Sequence, residues 1–139
     1  MGASFEEKSV WIQLIGTVVA LGAYFVVAGL MFSAGVTALP AYVPLFIVAI
    51  VLLVILLAAG HALAAITGRP ESRDERDRLI TWRAECNSGW LLGAGVIAAV
   101  MALIMSVNTV WIAHLLLLSM LASEALGNIL RIVYYRRGV

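Results

Sequence analysis

Thr67-Gly68-Arg69-Pro70-Glu71-Ser72-Arg73-Asp74-Glu75-Arg76-Asp77-Arg78 interrupts an otherwise apolar chain. Eight of these twelve residues are charged, whereas only 12% of the whole chain is. Gly68 and Pro70 end any helix arriving from the N-terminal side, because glycine loosens the backbone and proline lacks an amide hydrogen. Outward from this stretch run two apolar blocks. Each is long enough for two crossings of a membrane, at about 20 apolar residues per crossing. The spans read as residues 11–32, 41–66, 88–107 and 110–133. The connections within the blocks, residues 33–43 and 106–110, carry no charge. All nine Lys and Arg fall elsewhere: Lys8, five arginines between Arg69 and Arg83, and Arg131, Arg136 and Arg137. Cytoplasmic loops collect Lys and Arg, so both termini and the central stretch are expected on the cytoplasmic side.

The 139 residues are 63% hydrophobic, with a mean hydropathy of +1.05. Four spans consume nearly all of them, so residues 1–139 read as a single all-α membrane domain. Trp11, Tyr134 and Tyr135 suit one interface, and Tyr42 and Trp111 the other. The net charge of +1 argues against direct nucleic-acid binding. The lone Cys86 excludes an internal disulfide. Glu6 and Glu7, ahead of a long first apolar run, do not fit a cleaved signal peptide.

A shift of 68 residues superposes Ser4, Glu6, Glu7, Lys8 and Ile12 on Ser72, Asp74, Glu75, Arg76 and Ile80. The expected architecture is therefore a four-helix bundle made of two duplicated hairpins. Each copy opens with Ser-x-x-Glu, a capping-box pattern. A third helix starting at Ser72 outruns the hydrocarbon, so residues 72–87 are expected to form a charged cytoplasmic helix. Arg73–Asp77 and Asp74–Arg78 would support it as i,i+4 pairs. Leu79, Trp82, Cys86 and Trp90 fall on one stripe of it. Close helix packing is expected at Gly89-x-x-x-Gly93, at Ser119, Ser123 and Gly127, and at Gly60, Ala64 and Gly68.

Ionisable residues inside a bilayer are costly and are candidates for function. Glu124 lies well inside the fourth span, with Asn128 and Arg131 on the same helix face. The reading is either a carboxyl that fixes helix register or one that handles a proton, cation or ligand. His61 lies at similar depth, so a His61–Glu124 contact is expected. His114 lies near the opposite end of its span, too far from His61 for both to hold one haem iron. Hydrogen-bonded packing histidines are the simpler reading, and no metal or cofactor is expected. Glu85, Cys86 and Asn87 are expected at the level of Arg131. No HExxH, Walker loop, GxSxG or glycine-rich phosphate cradle occurs, which argues against an enzyme.

Phe5-Glu6-Glu7-Lys8-Ser9, Asp74-Glu75-Arg76-Asp77 and Tyr135-Arg136-Arg137-Gly138 resemble motifs of an uncharacterised bacterial family of small four-span inner-membrane proteins. The resemblance implies a multi-pass protein of the bacterial inner membrane and, through neighbouring regulators in some members, a signalling partner. Glu124 resembles an acidic position ahead of the family's ending motif; Cys86-Asn87 has no counterpart in it.

The expected role is a non-enzymatic interaction or regulatory module. Its surface would be Arg73, Asp74, Glu75, Arg76, Asp77 and Arg78 together with Arg136 and Arg137. Partners would be membrane lipids, a cytosolic protein, or a second copy in a dimer. One alternative is a small transporter or channel using Glu124 and His61. Another is a haem or lipid-tail binder beneath Tyr24, Phe25 and Phe46.

Overall fold

The structure, a computed structural model, describes residues 5–67 and 74–137. Among these residues there are only helices and short connections: α1 (Phe5–Ser33), a 3-10 turn (Leu39–Tyr42), α2 (Val43–Thr67), α3 (Glu75–Ile104) and α4 (Thr109–Arg137). All four α-helices are long and apolar enough to cross a membrane, as in a multi-pass membrane protein. At 1.5 Å per residue each is roughly 38–45 Å long, against about 30 Å of hydrocarbon.

Helix ends differ from the expected ones where local capping chemistry decides. Asp74, not Ser72, caps α3. Its Oδ1 accepts from the Asp77 amide at 2.9 Å, and the Asp77 carboxylate accepts from the Asp74 amide at 3.1 Å. Asp74 is thus engaged as a cap, and it forms no ion pair with Arg78 among the described residues. Ser4, Gly68, Arg69, Ser72 and Arg73 lie outside the described residues. α1 and α3 end alike. Gly35 (φ +86°) and Ser106 (φ +57°) adopt the left-handed conformation. The following amides reach back, Val36 to Met31 O at 3.1 Å and Val107 to Ala102 O at 3.0 Å, closing Schellman turns. Asn108 Oδ1 then accepts from the Val110 amide at 2.9 Å and opens α4.

Pairings across helices give the topology. Ser9 meets His61 while Gly16 faces Leu57, so α1 and α2 run antiparallel. Glu7 meets Arg136, Tyr24 meets His114 and Phe32 meets Trp111, so α1 and α4 do too. Asp77 meets Tyr135, Glu85 meets Arg131 and Gly95 faces Ser119, which gives the same sense for α3 and α4. The start of α1, the end of α2, the start of α3 and the end of α4 therefore share one end of the bundle. The main seams are α3–α4, α1–α2 and α1–α4. α1 is the most enclosed span; α2 is the least enclosed and the most apolar, as suits a helix facing lipid.

The α3–α4 seam uses small residues, though not the expected pair. A Cβ on Gly95 would overlap Ser119, and one on Gly127 would sit 3.0 Å from Ser88 Oγ. Ser123 Oγ donates to Ser88 O at 3.1 Å. Ala84, Ser88, Gly95 and Ala99 are the buried small residues of α3. Gly89 and Gly93 have nothing within 4 Å of a built Cβ and face outward, so they do not serve as the intramolecular seam. Helix phase explains this: Gly89 lies 100° around α3 from Ser88, and α4 takes the Ser88 side.

Candidate functional site

The polar end of the bundle is built from three helix termini. Three acids at this end meet a partner on another helix. Arg131 Nη2 donates to Glu85 Oε1 at 2.7 Å, Arg136 Nε to Glu7 Oε1 at 3.1 Å, and the Tyr135 hydroxyl to Asp77 Oδ1 at 2.9 Å. Asn87 Nδ2 donates to the Tyr134 hydroxyl at 2.9 Å. The Arg136 guanidinium also stands 5.8 Å from the centre of the Trp11 ring, within cation–π range. These contacts run from the level of Asn87 up to Asp77, so the first turns of α3 stand along α4. Ile80 and Ala84 are fully buried in that contact.

The outer side of the same end is different. Arg76, Arg78, Arg83 and Arg137 are exposed and form no ion pair among the described residues. Asp74 and Glu75 are exposed beside them. Trp82 is 63% exposed and Leu79 41%, on the face that also carries Arg78 and Arg83. Of the expected surface residues, Arg136 and Asp77 are drawn into the clamp, while Asp74, Glu75, Arg76, Arg78 and Arg137 remain outward. Cys86 is exposed on α3.

Below the clamp lies a polar cleft of about 320 Å³ between α3 and α4. It is lined by Glu85, Ser88, Gly89, Ser123, Glu124, Gly127, Asn128 and Arg131. Glu124, Asn128 and Arg131 are thus brought together. Glu124 is exposed and has no hydrogen-bond or ion-pair partner among the described residues. Asn128 is 1% exposed, and neither of its amide atoms has a partner; Arg131 Nε also lacks one. Such orphans are rare and mark strain, an ordered water or a ligand position.

The two histidines sit elsewhere. His61 Nδ1 pairs with Leu57 O at 2.8 Å and Nε2 with Ser9 Oγ at 3.0 Å. His114 Nδ1 pairs with Val110 O at 2.7 Å and Nε2 with the Tyr24 hydroxyl at 3.1 Å. Each ring thus donates to its own helix four residues back and accepts a hydroxyl from α1. The His61–Glu124 contact does not form: His61 serves the α1–α2 seam, and Glu124 opens on the α3–α4 side. Equal depth set no shared face. The histidines stand about 22 Å apart along α1, from Ser9 to Tyr24. Both nitrogens of each ring are engaged in hydrogen bonds. No group of three potential metal ligands occurs among the described residues.

Sequence reasoning missed the aromatic cage around His114. Tyr24 stacks on its ring at 5.6 Å, and Tyr42 meets it edge-on at 4.9 Å. Tyr42 is buried and donates to Val36 O at 2.7 Å, tying down the loop after α1. The sequence singles out Tyr24 and Phe25 for a groove and Tyr42 for an interface, but nothing local sets them around His114. Apolar grooves flank this cage. One, of about 540 Å³, holds Tyr24, Tyr42, Phe46 and Met120; the other, of about 400 Å³, holds Phe25, Phe32, Trp111 and His114. Grooves this apolar on an apolar exterior suit lipid chains.

Fold and site together define a four-helix, multi-pass membrane protein with a clamped polar end. No family model, no curated protein and no solved structure matches the chain.

Proposed function

We propose that this chain is a non-enzymatic module of the bacterial inner membrane whose cytoplasmic end docks a cytosolic protein. One observation carries the reading: the acids Glu7, Asp77 and Glu85 meet partners on other helices, while Arg76, Arg78 and Arg83 stay exposed on the helix that presents Trp82. Exposed arginine beside tryptophan is the composition of protein-contact hot spots. A surface held rigid by packed helices loses little entropy on binding. Both termini lie in the cytoplasm on this reading, and the first turns of α3 and last turns of α4 project beyond the headgroups together. The resemblance to small four-span bacterial proteins agrees with that orientation. The two hairpins are read as copies of one unit on the strength of the 68-residue shift in the sequence; the Schellman turns at Gly35 and Ser106 stand 71 residues apart, three out of that register.

The test is photo-crosslinking in native membranes from a probe amino acid at Arg76, and separately at Arg83. The expected result is one discrete cytosolic adduct, lost when Arg78→Glu is added and topology is unchanged. Adducts with lipid alone would reduce this end to a topology anchor.

A further inference from the structure

We propose that the cleft between α3 and α4 is a binding site for a primary ammonium group carried on a short apolar body. Formal charges set the sign. Glu85 and Glu124 against Arg131 leave one negative charge, and Arg131 is already committed to Glu85 at 2.7 Å. An anion beside Arg131 would stand near the carboxylates of both Glu85 and Glu124; a cation needs only Glu124. The second observation is independent of charge. Asn128 lines the same cleft, is 1% exposed, and has both amide atoms without partners. An ammonium has three donors. Glu124 and Ser123, both from α4, offer acceptors among the lining residues, and the buried Asn128 carbonyl of the same helix still lacks a donor.

Size and position favour an organic cation. A volume of about 320 Å³ is several times what a bare ammonium fills; a water takes about 30 Å³ in the liquid. Gly89 and Gly127 leave that room where side chains would close it. The cleft begins at the Arg131–Glu85 pair and descends about 10 Å along α4 to Glu124. It therefore leads from headgroup level into hydrocarbon, and Gly89 leaves its side open to lipid. A carboxylate facing lipid there is costly, and a bound cation removes that cost. A second copy seated on this face by a twofold axis would bring a second Glu124 to the same region, adding charge of the same sign.

The experiment uses the full chain in phosphatidylcholine nanodiscs, titrated with hexylammonium chloride and followed by calorimetry. Saturable one-site binding is expected, at least ten-fold weaker in Glu124→Gln and for hexyltrimethylammonium, which has no N–H donor. Gly89→Leu fills the cleft without a clash at its Cβ and should abolish binding while helicity is retained. That variant keeps the proposal testable if the Glu124 variant does not fold. Adding phosphatidylethanolamine separates two sources of the same amine. A fall in apparent affinity identifies a lipid headgroup as the occupant, unchanged affinity a soluble amine, and either result supports the site. Absence of saturable binding, or equal affinity in Glu124→Gln, overturns it. So would a dimer that Gly89→Leu splits while hexylammonium never binds.

Discussion

Ser106 holds a left-handed backbone at φ +57° with a side chain that disfavours it. The equivalent place at the end of α1 is Gly35. Ser106→Gly should therefore stabilise the protein by about 0.5–1 kcal/mol, the left-handed cost less glycine's extra unfolded-state entropy. Thermal unfolding in detergent, with Ser106→Ala as the control that gains nothing, checks this. Tyr24→Phe removes one interhelical hydrogen bond to His114 and keeps the stacked ring. Its expected cost is about 0.6 kcal/mol, typical of such bonds in membranes. A double-mutant cycle with His114→Phe should recover that coupling; zero coupling would separate the two residues energetically. Single residues were legible unevenly. The histidines' hydrogen-bonded character was readable, because a lone polar ring in an apolar span needs partners. The partners were not, because residues 52 and 90 positions away in the chain supply them.

Among the helices, the spans were visible because hydropathy and length are local properties. Their ends were visible only within a turn: Asp74 outcompeted Ser72, and a 3-10 turn at Leu39–Tyr42 precedes α2. Which glycines meet a neighbour was not readable, since spacing gives a stripe and packing chooses among stripes. The choice makes a sharp contrast. Gly95→Ala places a methyl onto Ser119 and should cost about 1–3 kcal/mol by overpacking. Gly89→Ala and Gly93→Ala meet open space and should be neutral or slightly stabilising. Gly60→Ala should side with Gly95→Ala, because the contact at 2.5 Å is Cγ2 of Ile12, a methyl on the branched β-carbon that moves only with the stiff χ1 of a helical isoleucine. Unfolding midpoints for the four variants test the order. If Gly89→Ala were as damaging as Gly95→Ala, the helix phase described for α3 would be wrong.

The whole molecule has one polar end and one apolar end, and the chain's charges produce that division. Arginines kept to the 69–83 stretch and the C-terminus make crossings of uncharged connections cheap and of charged ones expensive. The helices then bring Arg76, Arg78, Arg83, Arg131, Arg136 and Arg137 to a common end, where Glu85 takes Arg131, Glu7 takes Arg136 and the other four face out. The polar cleft follows from the same asymmetry, running from that end toward Glu124. The sequence singles out Glu124 by depth, Asn128 and Arg131 by its helix face, and Gly89, Ser123 and Gly127 by small-residue spacing; that they share one cleft while His61 stands apart needed the packing of α4 between α1 and α3. Four crossings with the arginine-bearing end in the cytoplasm put residues 37 and 108 on the opposite side from 76 and 137. Single cysteines placed at Thr37, Arg76, Asn108 and Arg137 in a Cys86→Ala background, labelled with a membrane-impermeant maleimide, test it directly. The account predicts labelling of positions 37 and 108 in intact spheroplasts, and of 76 and 137 only after the membrane is opened. Labelling of 76 or 137 in intact spheroplasts, or of all four positions from one side, would contradict it.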